Sequence, residues 1–200
     1  EQWYEENQIY QLLGRRVENI DTEKKEVLLS DQTRLQYTRL IYALGSESFI
    51  PPIPGCEKEE VIGIRRVTDT RKIASMLERV TEVVVIGGGV LGLEAAWELK
   101  KAGCRVTVLE LAPQLMGRQL DDEAGEMLKS ISENLGIQIH TGVSIHSIEG
   151  EEQVTGVRLK DGTTYPAQLV IVSCGVRANV ELAVKAGIQV ERSVVVDEHM

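Results

Sequence analysis

Six consecutive residues, Gly87-Gly88-Gly89-Val90-Leu91-Gly92, fit the spacing GxGxxG, and an acid, Glu110, stands about twenty residues further on. Each glycine of such a run has its own task. Gly87 permits a tight turn, Gly89 lets a diphosphate approach the backbone with no Cβ in the way, and Gly92 lets a helix pack close to the preceding strand. The helix that begins there offers unpaired N–H groups and a partial positive charge to an anion. A carboxylate at the end of the following strand can accept hydrogen bonds from both ribose hydroxyls of an adenosine, and it would repel a 2′-phosphate. Leu111, Ala112 and Pro113 come directly after Glu110, with no Arg or Lys among them. Together these residues predict a site for NAD(H) rather than NADP(H), carried by Gly87, Gly88, Gly89, Val90, Leu91, Gly92 and Glu110 in a βαβ unit over residues 83–110.

Two further residues are candidates. Glu94, read as part of the first turn of the helix, would face the nicotinamide end of the cleft. Gly175 ends an apolar strand, where open α/β sheets place ligands, and would let the nicotinamide ribose lie against the backbone. Each has a plainer reading beside this one: a surface acid favoured by the helix dipole, and an ordinary strand-end turn.

The elements that must position these residues are legible around them. Glu82–Ile86 is a β-branched run suited to a buried parallel strand, the helix is expected from Leu93 to about Ala102 with Gly103 as its stop, and Arg105–Leu109 is a second buried strand. Upstream, Thr68 or Asp69 can cap a helix that runs to about Val80, with Ile73, Met76, Leu77 and Val80 on one face. Downstream, Asp121 or Asp122 opens another, with Leu128, Ile131 and Leu135 as its inner face and Gly136 as its end. Gly125 inside that helix costs about 1 kcal/mol against alanine. Strands return at Ile137–Thr141 and through residues 143–172, with a hairpin turn at Asp161-Gly162.

The first fifty residues look β-rich, with strands expected at Val17–Ile20, Glu26–Ser30, Arg34–Tyr37 and Leu40–Leu44, and Pro51, Pro52, Pro54 and Gly55 make an extended linker after them. They also form half of an internal repeat. Gly14 through Ile20, then Leu28–Asp31, then Leu40 to Gly45 match Gly142 through Ile148, then Val157–Gly162, then Leu169 to Gly175. In the second copy a βαβ unit precedes the meander, and the economical expectation is that a first such unit lies upstream of residue 1.

The net charge of −9 argues against a nucleic-acid partner, which requires a basic surface. No stretch is long and apolar enough to span a bilayer, and no signal peptide is visible. Cys56, Cys104 and Cys174 form no CxxC pair and have no metal-like spacing to His, which suits free thiols in a reducing cytoplasm. His140, His146 and His199 are scattered, and no nucleophile–base pair or carboxylate pair suggests hydrolysis.

Beyond the glycine turn, Leu40-Ile-Tyr-Ala-Leu-Gly-Ser46, the proline-rich Pro51–Gly55, Val84–Gly92 with Leu93-Glu94-Ala95, and Cys174-Gly-Val-Arg-Ala-Asn179 resemble the FAD-dependent pyridine nucleotide–disulfide oxidoreductase superfamily. Met116-Gly-Arg-Gln-Leu-Asp121 is most similar to its NAD(P)H-nitrite reductase and rubredoxin reductase branch. The resemblance implies a Rossmann-like FAD/NAD(P)-binding α/β fold, three-layered with a β-meander. Residues 1–65 would be the C-terminal part of an FAD-binding domain with its linker, 66–178 the NAD-binding domain, and 179–200 a segment returning toward the FAD domain. It also implies hydride transfer from NADH to FAD, with the nicotinamide stacked on the flavin beside Glu94 and Gly175, and onward transfer of electrons to an acceptor. Sirohaem-bound nitrite, rubredoxin, a ferredoxin, oxygen and disulfides all remain open as acceptors, and a homodimer is compatible. The family's own FAD-binding glycine turn and its Gly-Asp element are absent from these 200 residues, and Leu44 stands where the family has threonine, so the FAD site is incomplete here. The chain alone is therefore expected to bind NAD(H) without turnover. Two readings from other classes stand beside this: a non-catalytic NAD-binding sensor or docking module, and a methyltransferase using the same glycine-turn logic, which the β-meander before Gly175 does not suit.

Overall fold

Short charged turns fold the first forty residues back and forth on themselves. The computed structural model describes residues 2–199, and the chain forms two units, residues 1–46 with 177–200 and residues 47–176. In the first unit a helical turn, α1 (Gln2–Glu6), precedes three antiparallel strands, β1 (Val17–Asp21), β2 (Glu26–Leu29) and β3 (Arg34–Gln36), hydrogen-bonded in that order. The β2–β3 turn closes through Leu29 N–H to Thr33 O at 2.9 Å, with the Asp31 carboxylate accepting from Thr33 N–H at 3.0 Å and Gln32 held at φ +67°. The core here is small, with Ile20, Val27 and Leu29 at its centre.

Leu40–Leu44, expected as a fourth strand, is not one. Ile41 is 88% exposed, and among the described residues no strand lies against this segment. An extended segment needs a neighbour for its N–H and C=O groups. Instead the stretch is tied down at single points: Tyr42 Oη donates to Asn179 O at 2.7 Å, and Asn179 Nδ2 donates to Leu44 O at 2.9 Å. The chain leaves this unit along β4 (Ser46–Ser48).

The second unit is built on a five-stranded, wholly parallel sheet. Its elements are β5 (Val61–Gly63), α2 (Val67–Met76), β6 (Glu82–Ile86), α3 (Val90–Lys101), β7 (Arg105–Leu109), α4 (Asp122–Asn134), β8 (Gln138–His140), a meander of β9 (Ile145–Glu149), β10 (Gly156–Leu159) and β11 (Thr164–Pro166), and β12 (Leu169–Val172). The sheet order is β5-β12-β6-β7-β8, every neighbour parallel. Parallel neighbours need crossovers, and α3 and α4 supply two of them. β12 sits between β5 and β6, so it is buried on both faces and reads as an unbroken apolar run.

Strand alternation divides the side chains between two cores. Val83, Val85, Val106, Val108, Leu169 and Ile171 pack with Ile73, Met76, Ala96 and Leu99 of the helices. Val84, Ile86, Leu109, Val170 and Val172 pack with Ile148, Val157 and Leu159 of the meander. The result is three layers: helices, sheet and meander. The chain returns to the first unit along β13 (Val176–Ala178) and enters a helical turn, α5 (Glu181–Lys185), where Leu182, and Ala186 just after it, pack on the small core.

Two helix starts and one helix face differ from the sequence expectation. α2 begins at Val67 with Arg66 as N-cap, and Asp69 lies inside the first turn, where its Oδ2 accepts from the N–H groups of Arg65 (2.9 Å) and Arg66 (2.7 Å). α3 begins at Val90, three residues earlier than expected, because Gly89 already serves as its N-cap. In α4, capped as expected by Asp121 (Oδ1 to Ala124 N–H, 2.9 Å), the inner face is Gly125, Leu128 and Ser132, while Ile131 and Leu135 are about half exposed. The helix is rotated because it lies against backbone: a Cβ on Gly125 would stand 3.3 Å from Leu115 O, so the small residue selects the contact face.

Candidate functional site

The glycine run joins β6 to α3, and its members are glycine for different reasons. Gly87 has φ +112°, and a Cβ on it would reach 2.4 Å from Ser173 O. A Cβ on Gly92 would reach 2.0 Å from Gly87 O, so α3 sits directly on the turn. These two are required by the protein itself. Gly89 is not: its φ is −83°, ordinary for any residue, and a Cβ there would meet nothing within 4 Å. A side chain would project into open space at the mouth of the helix.

That mouth leaves backbone donors open. No side chain caps α3, and the first intrahelical bond runs from Leu93 N–H to Gly89 O at 3.0 Å. The N–H groups of Val90, Leu91 and Gly92 precede it and carry the positive end of the helix dipole. Val90 and Leu91, the predicted diphosphate contacts, are about half exposed or more.

Glu110 comes directly after β7, beside the run. Its Oε2 accepts from Gly88 N–H and its Oε1 from Ala112 N–H at 2.7 Å. A carboxylate has about four acceptor positions, so two remain for ribose hydroxyls. Gly88 is crowded by side chains rather than backbone: a Cβ there would lie 2.5 Å from Leu115 Cδ2 and 3.1 Å from Glu110 Cβ. Leu115 is wholly buried, and Met116 N–H donates to Gly88 O at 3.2 Å. Leu115 and Met116 belong to no regular element, so periodicity gives no signal for them; the glycine at 88, between Gly87 and Gly89, is the one trace they leave in the sequence.

Gly175 lies two residues past Ser173, whose atoms border both Gly87 and Gly92. It is exposed with φ +94°, a Cβ on it would meet nothing within 4 Å, and its carbonyl accepts from Phe49 N–H at 2.9 Å. Gly87–Gly92, Glu110 and Gly175 therefore converge at the carboxyl ends of β6, β7 and β12, where open parallel sheets hold ligands. Glu94 is exposed on α3, and because the helix begins at Val90 it falls beyond the first turn rather than within it.

Burial and then the Glu110 charge push the Cys174 thiol above its ordinary value, and burial does the same to Cys104, so neither is a ready thiolate. Burial holds His140 below the usual histidine value, its ring 4.6 Å from that of Tyr165. These two line a cavity of about 580 Å³ with Glu133 and Gln138, and none of its lining residues belongs to the glycine run. Among the described residues no group of three or more His, Cys, Asp or Glu could hold a metal ion, and no helix is long and apolar enough to cross a membrane.

Comparison with known proteins gives the same direction. Residues 3–200 match the family profile described as pyridine nucleotide-disulphide oxidoreductase. The chain is 42% identical over 199 residues to the NAD(P)H nitrite reductase of Bacillus subtilis (strain 168), spanning 99% of this chain and 25% of that protein. Its fold superposes on the ferredoxin reductase for the CYP199A2 system from Rhodopseudomonas palustris with a TM-score of 0.94, at 33% identity, over 99% of this chain and 49% of that one. The putidaredoxin reductase–putidaredoxin complex gives a TM-score of 0.90 at 33% identity, again over 99% and 49%. The chain thus spans a quarter to a half of the length of these relatives.

Proposed function

Because the chain belongs to the pyridine nucleotide-disulphide oxidoreductase family, we propose that it is the NADH-binding portion of a flavoprotein of the nitrite reductase or ferredoxin reductase type. The observation that carries the nucleotide reading is Gly89. Nothing in the protein requires a glycine there, whereas a diphosphate lying on the mouth of α3 does. The NADH supplies a hydride and the flavin of the intact protein receives it.

The chain's own residues then bind and orient. The N–H groups of Val90, Leu91 and Gly92 face the diphosphate, Glu110 takes the adenosine ribose hydroxyls with its free acceptor positions, and the backbone at Gly175 gives the nicotinamide ribose a surface without a side chain. Glu94 is assigned to the nicotinamide end on the strength of its exposure on α3. Orientation of this kind, rather than a covalent side chain, is what such a site contributes.

Residues 1–65 are assigned to the C-terminal part of an FAD-binding domain, 66–178 to the NAD-binding domain and 179–200 to a return segment. Leu40–Leu44, with no strand beside it among the described residues, supports the first of these, since it repeats the sequence of a strand that elsewhere in the chain is paired on both sides within a sheet. The acceptor is assigned to the class of small redox proteins or a reductase domain, as in the relatives, and the free thiols Cys56, Cys104 and Cys174 suit a reducing cytoplasm.

Calorimetric titration with NADH and NADPH, on the 200-residue chain and on Gly89→Ala, tests the reading. NADH is expected to bind more tightly than NADPH, and Gly89→Ala to lose about tenfold or more in NADH affinity, about 1.4 kcal/mol, at unchanged melting temperature. Equal NADH binding by the variant would remove the diphosphate from this loop.

A further inference from the structure

A run of three glycines has more conformational freedom to lose than any other tripeptide, so a loop of this kind binds well only if something holds its shape beforehand. In this chain the middle residue is held on both sides. Gly88 N–H donates to Glu110 Oε2, and Gly88 O accepts from Met116 N–H at 3.2 Å. The second oxygen of Glu110 accepts from Ala112 N–H at 2.7 Å. Leu115, wholly buried, closes over Gly88, and a Cβ there would stand 2.5 Å from its Cδ2, so the side chain would have to shift to admit one. Leu115 is seated in turn against α4, where Gly125 leaves room for its carbonyl, and Gln114 Nε2 donates to Leu120 O at 3.0 Å.

We propose that residues 110–116 form an internal clamp on the glycine loop, and that Glu110 is a positioning residue for that loop in the free protein as well as an acceptor for ribose. The clamp explains why position 88 is glycine when the cofactor does not ask for it. It also makes a demand that ribose binding does not. Each oxygen of Glu110 accepts from a different backbone N–H, so both must be acceptors. A glutamine has one acceptor oxygen and would set its NH2 against an N–H whichever way it turned. A glutamine at 110 could still hydrogen-bond a ribose, but it could not hold the clamp.

The nucleotide arm of the test rests on the NAD reading above; the amide arm does not. Amide hydrogen exchange is measured by NMR on the free chain and on Glu110→Gln, and both are titrated with NADH and NADPH. In the wild-type chain Gly88 and Ala112 should exchange at least about tenfold more slowly than Val90 and Leu91, which precede the first intrahelical bond. In Glu110→Gln the protection of Gly88 or Ala112 should fall by about tenfold, and the affinities for both nucleotides should fall, NADH by more than NADPH because the charge that repels a 2′-phosphate is also lost. The proposal is overturned if Gly88 exchanges as fast as Val90 in the wild type. It is equally overturned if Glu110→Gln keeps its protection while NADH weakens and NADPH strengthens, the behaviour of a carboxylate that acts on ribose alone. Should that variant not fold, Leu115→Ala decides. It leaves Glu110 intact but opens the clamp, and it should raise exchange at Gly88 and weaken both nucleotides without changing their ratio; unchanged exchange would refute the clamp. Protected amides in a chain that binds neither nucleotide would sink the NAD reading and leave the clamp standing.

Discussion

In residues 17–36 and again in residues 145–166 the chain makes the same three antiparallel strands, and closes the second turn of each in the same way. Leu29 N–H reaches Thr33 O at 2.9 Å in one and Leu159 N–H reaches Thr163 O at 2.8 Å in the other, each beside an aspartate that accepts from the threonine N–H. The two meanders lead into different surroundings. Leu169–Val172 enters the middle of a five-stranded sheet with no exposed surface to speak of, whereas the matching Leu40–Leu44 has no strand beside it and Ile41 stands 88% exposed. Local turn chemistry is therefore enough to make a meander twice, but a strand after it forms only where neighbours accept its backbone.

The contrast is sharpest at a matched pair of residues. Val170→Asp would bury an unpaired carboxylate in the core between sheet and meander and should cost more than about 4 kcal/mol, enough to unfold residues 47–176. Ile41→Asp should change stability by less than about 0.5 kcal/mol. Circular dichroism and urea unfolding of the two variants check this, and similar losses in both would mean that residues 40–44 are packed after all. A smaller separation is expected inside the meanders. Leu29 and Leu159 are equally buried, at 3% exposed, but Leu159 belongs to the larger core, so Leu159→Ala should cost about 3 kcal/mol and Leu29→Ala about 2 kcal/mol in the same assay. The reverse order would place the main meander core in the first unit. The smallest effect concerns the turns themselves. Gln32 occupies at φ +67° the place that Gly162 fills at φ +93°. Gln32→Gly should therefore gain up to about 1 kcal/mol, read as a raised urea midpoint, and a loss would show that the Gln32 side chain makes a contact worth more than the strain it relieves.

Much of the second unit was legible because its residues meet the rules locally. The β-branched run 82–86 and the glycines after it name a strand and a tight turn into a helix from residue types alone, and Asp121 caps α4 as its type and place predict. The illegible parts depend on neighbours distant in sequence. Ile131 and Leu135 look like a core face by spacing, yet α4 turns Gly125 and Ser132 inward because it must lie against the backbone of Leu115. Leu40–Leu44 is apolar enough for a buried strand, and composition cannot say whether a partner will be there. The clamp residues Leu115 and Met116 sit in a segment with no period, where Met116 adopts φ +49°, a conformation that spacing does not announce.

The strict alternation of β6 has a consequence for epistasis. Val85 faces the helices that carry the glycine loop, and Val84 faces the meander. The sheet is then a partition, and mutations have an address on one side of it or the other. Truncations at Leu99 and Val85 share a core and should interact, while truncations at Leu99 and Leu159 share none and should simply add. Variation can therefore accumulate in the meander layer with little effect on the layer that holds the loop.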